Sequence, residues 1–392
     1  MTADRPEPAE ADPTPEPSVP TAEEPGTVEP RSVEPGTSRR RRQRSRRTTA
    51  LVVSAMSLVV LLAVAALLPV PYVRLSPGPT FNVIGEYDGT PLIEISGTPT
   101  YPTSGNLDMT TVSESGGPRG GLTLGQALLS WTNSEDAVLP RELLYPDDVT
   151  GDEVEQENAV AFSTSQSDAT AAALNHLGIP LEQDVLIASV AKGSPAEGKL
   201  EPRDQILQVD GREIAAPEDV GEAVRARPVG SDIAVTVRRD GEEKEVVVTS
   251  APNPDDPERP YLGITVAALY QAPFTLTFSL DDVGGPSAGL MFSLGIIDKL
   301  TPEDLADGRH VAGTGTITPD GKVGPIGGIR QKLAGARGAG AELFLMPVDH
   351  CAEAAGHVPD GLTVVPVATL AEAVDALDAW HAGGTLPTCP AS

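Results

Sequence analysis

The sequence predicts an α+β protein of more than one domain, preceded by one transmembrane helix. Three observations carry that reading. Residues 50–68 (ALVVSAMSLVVLLAVAALL) contain no charged side chain, and about twenty apolar residues suffice for a helix to cross a hydrocarbon core. Residues 168–250 alternate β-branched runs with Gly-rich turns and one amphipathic stretch, which is the mixture of periods expected of a small α/β unit. Beyond Pro260 a second, longer patterned region follows, and 392 residues with 40% apolar content are enough for two or three buried cores.

Residues 1–48 are dense in Pro, Glu, Ser and Thr and end in the run Arg39-Arg40-Arg41-Arg42-Gln43-Arg44-Ser45-Arg46-Arg47. Such a composition cannot bury a core, so a disordered tail is expected. The transmembrane helix follows at 49–69. Its flanking arginines stay cytoplasmic by the positive-inside rule, so everything from Tyr72 onward is expected outside the membrane. A cleaved signal peptide is the rival reading, although the apolar run exceeds a usual signal core and Pro69-Val70-Pro71 is a poor cleavage context. The net charge of -28 excludes a nucleic-acid partner, because phosphate backbones need a basic footprint. Cys351 and Cys389 both fall in the presumed extracytoplasmic part, where an oxidising compartment allows them to pair, with two separate thiols as the alternative. No zinc-like ligand spacing accompanies them, and no metal or cofactor is expected.

Residues 72–167 mix short β-like runs at 92–95 and 107–112 with a helical stretch at 124–131. From 168 to 250 the order is strand (185–190), the turn Gly193-Ser194-Pro195-Ala196 into a short helix, strand (205–209), the turn Asp210-Gly211, an amphipathic helix (217–227), and a hairpin about Asp240-Gly241. This order resembles a PDZ domain of the bacterial protease-associated kind over about 80 residues, with GSPAEGKLEPRDQILQVDG as its most specific stretch. Arg203 stands where such domains usually have Gly, a costlier residue for a tight turn. The resemblance implies peptide ends bound by strand addition, with the carboxylate in a backbone nest at Leu177-Gly178-Ile179. A module that merely packs on its neighbour is the alternative.

The chemistry lies beyond residue 258. Gly284-Gly285-Pro286-Ser287-Ala288-Gly289 precedes an apolar periodic run, which places Ser287 in the first turn of a helix, where amide donors are unsatisfied. A plain helix cap is the bland reading of that serine. A second cluster follows, Gly313-Thr314-Gly315-Thr316 and then Gly324-Pro325-Ile326-Gly327-Gly328-Ile329-Arg330-Gln331-Lys332. Together the two resemble the proteolytic domain of Lon proteases, whose GPSAG serine and PIGG-x-[KR]-x-K lysine form a Ser-Lys dyad, and the 45-residue separation is close to theirs. Carried over by position, Ser287 is the nucleophile, Lys332 the base and Thr314 the hydroxyl that holds the amine, with the backbone of Gly285 and Ala288 facing the oxyanion. The whole arrangement resembles the membrane-anchored PDZ-containing Lon-like proteases of Gram-positive bacteria, in which the PDZ domain interrupts the protease fold. That implies 72–167 as the N-terminal part of the protease domain, 168–250 as PDZ, 258–385 as the catalytic part and 386–392 as a tail. It also implies protein or peptide substrates and a homo-oligomeric ring.

A lysine acts as a base only when neutral, and burial in an apolar pocket disfavours its ammonium form. Arginine cannot do this, so it matters that the chain has six lysines and spends one at 332, with Arg330 at the outer cationic position. Lys322 is the rival base but lies in the turn Pro319-Asp320-Gly321-Lys322. Three features depart from Lon. Gly284 occupies the place of an Asp before Gly-Pro-Ser, the nearest acids being Asp281 and Asp282. One extra residue separates Thr314 from Lys332. No phosphate-binding loop is present, since Gly321-Lys322 is followed by Val323 and lacks the required upstream glycine. ATP-driven unfolding is therefore not encoded, and flexible substrates are expected. A catalytically inactive PDZ scaffold is the competing function, and a Ser-His-Asp protease with a PDZ appendage is a weak third, because its PDZ would follow the catalytic serine, no GNSGG is present, and the histidines (His176, His310, His350, His357, His381) have no obvious triad context.

Overall fold

The computed structural model describes residues 38–146, 149–280 and 283–390. The first helix, α1, spans Ser38–Ala66. Its Ser45–Ala66 portion is the one helix among the described residues long and apolar enough to cross a membrane. The helix begins ten residues earlier than the disordered tail was expected to end. Arginine and glutamine are good helix formers, so the basic run continues the apolar helix instead of fraying from it. The expected disorder of residues 1–37 lies outside the described residues.

The body from residue 63 onward is one compact unit. Strand β1 (Tyr72–Asn82) pairs antiparallel with β2 (Asn106–Gly116). Helix α2 (Leu124–Ser130) opens on a capping box between Thr123 and Gln126, and β3 (Ala137–Pro140) joins the other edge of β1. A second capping box, Thr150 with Glu153, starts α3, which runs 26 residues over Gly151–His176. After the PDZ region come α5 (Gly289–Leu300) and β9 (His310–Gly313), then the two-residue ladder of β10 (Thr316–Ile317) and β11 (Val323–Gly324). Next follow α6 (Ile329–Ala339), β12 (Leu343–Pro347), α7 (Cys351–Ala354), β13 (Thr363–Val367) and α8 (Leu370–His381). The sheet order is β13-β12-β9-β2-β1-β3, with β13, β12, β9 and β2 parallel and β1 and β3 antiparallel to their neighbours.

Successive side chains of a strand point to opposite faces, and β12 shows how the sheet is sandwiched. Leu343 and Leu345 join a core with α5, α3 and α8, whereas Phe344 and Met346 join Ile329, Leu333 and Ala336 of α6. Helix α5 is buried from Gly289 to Asp298. A helix apolar all round needs partners on all sides, and it has them in the sheet, α3 and α8. Cys351 and Cys389 are disulfide-bonded, with Cα atoms 5.4 Å apart, which pins the C-terminal segment onto the α6 side.

The PDZ region forms its own five-strand path, β7-β6-β5-β4-β8, around a separate apolar core. Its elements are β4 (Glu182–Val190), β5 (Gln205–Val209), α4 (Pro217–Arg225), β6 (Asp232–Arg239), β7 (Glu242–Thr249) and β8 (Ile264–Gln271). Two expected boundaries are corrected. Residue 168 falls inside α3, which packs on α5. Strand β8, expected in the catalytic segment, pairs antiparallel with β4 from Ile264↔Val190 to Gln271↔Glu182, so the PDZ sheet closes only after the linker at 251–263. The stretch after Gly193-Ser194-Pro195-Ala196 is a series of turns, not a helix, because Pro195 and the left-handed Gly193 and Gly198 (φ 76° and 72°) interrupt it.

Arg203 sits at φ 74°. A Cβ there crowds the carbonyl, costing about 1–2 kcal/mol, part of which a glycine would return as unfolded-state entropy. We therefore expect Arg203→Gly to stabilise the PDZ sheet by about 0.5–1 kcal/mol, read as slower amide exchange in β5. Equal or faster exchange would contradict the strain.

Candidate active site

The dyad geometry comes from two turns that meet at the end of the sheet. Ser287 lies two residues before α5, not inside its first turn, because Gly285 (φ 88°) and Pro286 bend the chain before the helix is established. Three contacts hold this bend: the Gly285 amide donates to Asn158 O (3.0 Å), Ser165 Oγ to Pro286 O (2.9 Å), and the Gly315 amide to Ser287 O (3.0 Å). Asn158 and Ser165 belong to α3. Sequence reasoning missed both, and the signal that could have found them is the Thr150-Gly151-Asp152-Glu153 capping box that begins their helix.

Lys332 sits one turn into α6. The helix starts from Gly328, whose left-handed φ of 70° and lack of a side chain are both required, since a Cβ would come 2.7 Å from Val112 Cγ2 in β2. The Lys332 amide donates to Gly328 O (3.0 Å). The preceding loop is held from the far side, where the Ile326 amide donates to Nε2 of His350 (2.9 Å). That contact fixes the neutral tautomer of His350 with its Nδ1 proton toward Glu353 (3.2 Å). His350 is therefore structural, as is His310, bonded to Asp108 (2.8 Å) in the sheet, whereas His176 and His357 are exposed, and no histidine is hydrogen-bonded to Ser287 among the described residues.

Lys332 Nζ lies 2.6 Å from Ser287 Oγ and 2.8 Å from Thr314 Oγ1, and Thr314 Oγ1 donates to Ser287 O (3.1 Å). Lys332 is 2% exposed and Thr314 0%. Of the six lysines, Lys332 alone is buried, whereas Lys322 is exposed and pairs with Asp320 at 2.7 Å. Burial pushes the Lys332 amine down from 10.5 to about 7, with no carboxylate among the described residues to restore the charge. Because the Thr314 proton is committed to the Ser287 carbonyl, Thr314 can only accept from Nζ. A neutral amine held this way turns its lone pair to Ser287.

The dyad opens on a cleft of about 880 Å³, walled by α3 (Val154, Glu155, Asn158, Ala159), by Phe81 and Tyr87, and by β2. Residues 282–378 match the family described as Lon protease (S16) C-terminal proteolytic domain. The chain carries a Lon-type serine peptidase domain. Residues 160–249 match the PDZ domain family. Two curated relatives are similar over short stretches of the chain. A mitochondrial Lon protease homolog of Debaryomyces hansenii is 37% identical over 23% of this chain and 8% of its own length. A Lon protease of Azospirillum brasilense is 40% identical over 22% of this chain and 11% of its own. The chain thus spans about a tenth of the length of these relatives. A solved PDZ domain of an SdrC-like protein from Listeria monocytogenes is 20% identical over 21% of this chain and 86% of its own, with a TM-score of 0.20.

Several expected positions are corrected. In the Lon-type segment, the Gly285 amide is already engaged by Asn158 and is not available to an oxyanion, whereas the Ala288 amide has no protein acceptor among the described residues. Asp281 and Asp282 lie outside the described residues. In the PDZ domain, the amides of Leu177, Gly178 and Ile179 donate to Ala173 O, Asn175 O and Leu174 O at 3.0, 3.1 and 2.8 Å. They close the C-terminus of α3 and cannot receive a peptide carboxylate.

A buried amine that titrates near 7 in the folded chain and near 10.5 unfolded has a signed consequence. Between these values the unfolded chain binds a proton that the folded chain does not, so this contribution to stability grows as pH rises from about 7 toward 10.5 and is lost on the way down. Lys332→Met lacks it. The thermal midpoint of Lys332→Met relative to wild type should be highest at or below pH 7 and converge as pH approaches 10.5. A difference independent of pH would mean that the amine is not desolvated.

Proposed function

We propose that this chain is a membrane-anchored, ATP-independent serine endopeptidase that cuts flexible or unfolded extracytoplasmic proteins through a Ser287-Lys332 dyad, with its PDZ domain engaging peptide segments. The observation that carries the reading is a desolvated lysine amine 2.6 Å from a serine hydroxyl at the floor of a cleft. Neutral Nζ takes the Ser287 proton as Oγ attacks the scissile carbonyl, and the resulting ammonium returns it to the leaving amine. Water then hydrolyses the ester with Lys332 again as base. The Ala288 amide, just ahead of α5, is the donor best disposed toward the developing oxyanion.

The cleft supports an extended substrate. Met109 to Glu114 all line it, and six successive residues can border one cavity only along a strand's edge, because its faces take alternate residues. Strand β9 ends at Gly313, opposite Met109, so the β2 edge beyond has no partner strand on that side among the described residues. A segment that adds to this edge must be unfolded first, and the sequence contains no ATP-binding loop to do the unfolding. In the PDZ domain, strand addition likewise needs an edge strand. Strand β8 is one, flanked by α4 and entered from the left-handed Gly263 (φ 79°), which supports a peptide groove there.

Lys332→Arg should lose activity on an unstructured protein as fully as Ser287→Ala, by about 10³-fold or more, while Lys322→Arg stays near wild type. Wild-type activity should rise with pH through about 7 and level off above it. Near wild-type hydrolysis by Lys332→Arg or Ser287→Ala would remove the dyad, and absence of hydrolysis by the wild type itself would favour a PDZ scaffold without activity. For sidedness, a reporter that works only after export, fused behind Ser392, should be active. A cytoplasmic reporter active at the same position would overturn the topology.

A further inference from the structure

Beyond the apolar helix the body keeps a second apolar surface. Of the exposed large apolar side chains described after residue 66, half fall at 67–68, 128–131 and 143–144. Leu129, Trp131 and Leu143 are 72%, 62% and 68% exposed. Residues far apart in sequence are gathered here by the chain that leaves the apolar run. The Leu124 amide donates to Leu68 O (2.8 Å), Pro69 and Val70 pair with Thr123 and Leu122, and the Arg141 amide donates to Pro71 O (3.0 Å). The Tyr72 ring meets the Trp131 ring edge-on, with centroids 6.5 Å apart. Helix α2 and the turn at Arg141–Leu143 therefore flank, on two sides, the residues that follow the span.

We propose that this patch rests in the bilayer that α1 crosses, at the boundary between headgroups and acyl chains, and so fixes the peptidase body to the membrane surface at a second point. The proposal builds on the membrane-anchored reading above. Continuity decides the occupant: a surface hydrogen-bonded to the last residues of a spanning run stands where that run emerges. Its composition fits, with one Trp and one Tyr among leucines, the residue types that settle at interfaces. The charge pattern narrows the chemistry. Arg74 is paired with Asp136 (2.9 Å), Arg141 is half-buried, and Glu135 and Glu142 are exposed, so no side chain described here attracts anionic headgroups. Insertion is apolar and insensitive to salt and to lipid charge.

The test uses the full chain reconstituted in phosphatidylcholine vesicles whose acyl chains are brominated near the headgroup. The chain has two tryptophans, Trp131 and Trp380. With Trp380→Phe, emission from Trp131 should fall by roughly half in brominated lipid. With Trp131→Phe, emission from Trp380 should be unchanged. Leu129→Glu combined with Leu143→Glu should restore the Trp131 signal, and 0.5 M salt or added phosphatidylglycerol should alter nothing, on the order of the effects expected for purely apolar insertion. Unquenched Trp131 in chain that floats with the vesicles overturns the proposal while leaving the anchor intact. A chain that does not float removes both. If Trp131 is unquenched and the double variant instead dissociates an oligomer in nanodiscs, the patch is an interface between copies, and the proposal is equally overturned.

Discussion

A lysine amine titrates near 7 only if it is kept from water, and much of the fold around Lys332 does so. The residue cannot be dry on a surface helix unless the first turn of that helix points into the body. The left-handed Gly328 makes this direction possible, and its missing Cβ lets the turn approach β2. His350 holds the loop from behind, and the disulfide keeps the C-terminal segment over the same face. On the other side α5 is sunk in the core, so Ser287, just ahead of it, cannot drift from the amine. The pairing needs no carboxylate. Adding one would favour the ammonium and defeat the arrangement.

The nucleophile's turn depends on α3 more than on its own residues. Helix α3 reaches the Gly-Gly-Pro bend twice, through the Ser165 hydroxyl and through the backbone carbonyl of Asn158. These residues touch no reacting atom, and they set where Ser287 stands. The same helix supplies a wall of the cleft with Val154 and Ala159. One element thus both fixes the serine and confines what approaches it.

How much of this was legible in the sequence follows from how local each signal is. The Gly-Pro-Ser and Pro-Ile-Gly-Gly runs encode turns from adjacent residues, so the meeting of Ser287, Thr314 and Lys332 could be expected without a structure, and the α+β class with it. Helix α3 could not be placed by periodicity, because its buried positions include Ser165, Thr170 and a run of alanines that carry almost no apolar contrast. Strand β8 reads as the opening of the catalytic segment, and only pairing with the distant β4, from Ile264↔Val190 to Gln271↔Glu182, assigns it to the PDZ sheet. Oxyanion donors are backbone amides, whose availability depends on long-range partners such as Asn158. The start of α1 was missed because a run of charges reads as disorder unless an adjoining helix extends through it.

The 26 residues of α3 measure about 39 Å at 1.5 Å per residue. One end borders the cleft, and the other passes through Leu177-Gly178-Ile179 directly into β4, with Ser167 accepting from the Tyr270 amide of β8 on the way. Ser165, two residues before Ser167, donates to Pro286 O, so the middle of one packed helix touches both β8 and the bend that seats Ser287. About 1 Å of misplacement is enough to cost a reaction two orders of magnitude, and only two residues of helix separate the contact to the PDZ sheet from the contact to that bend.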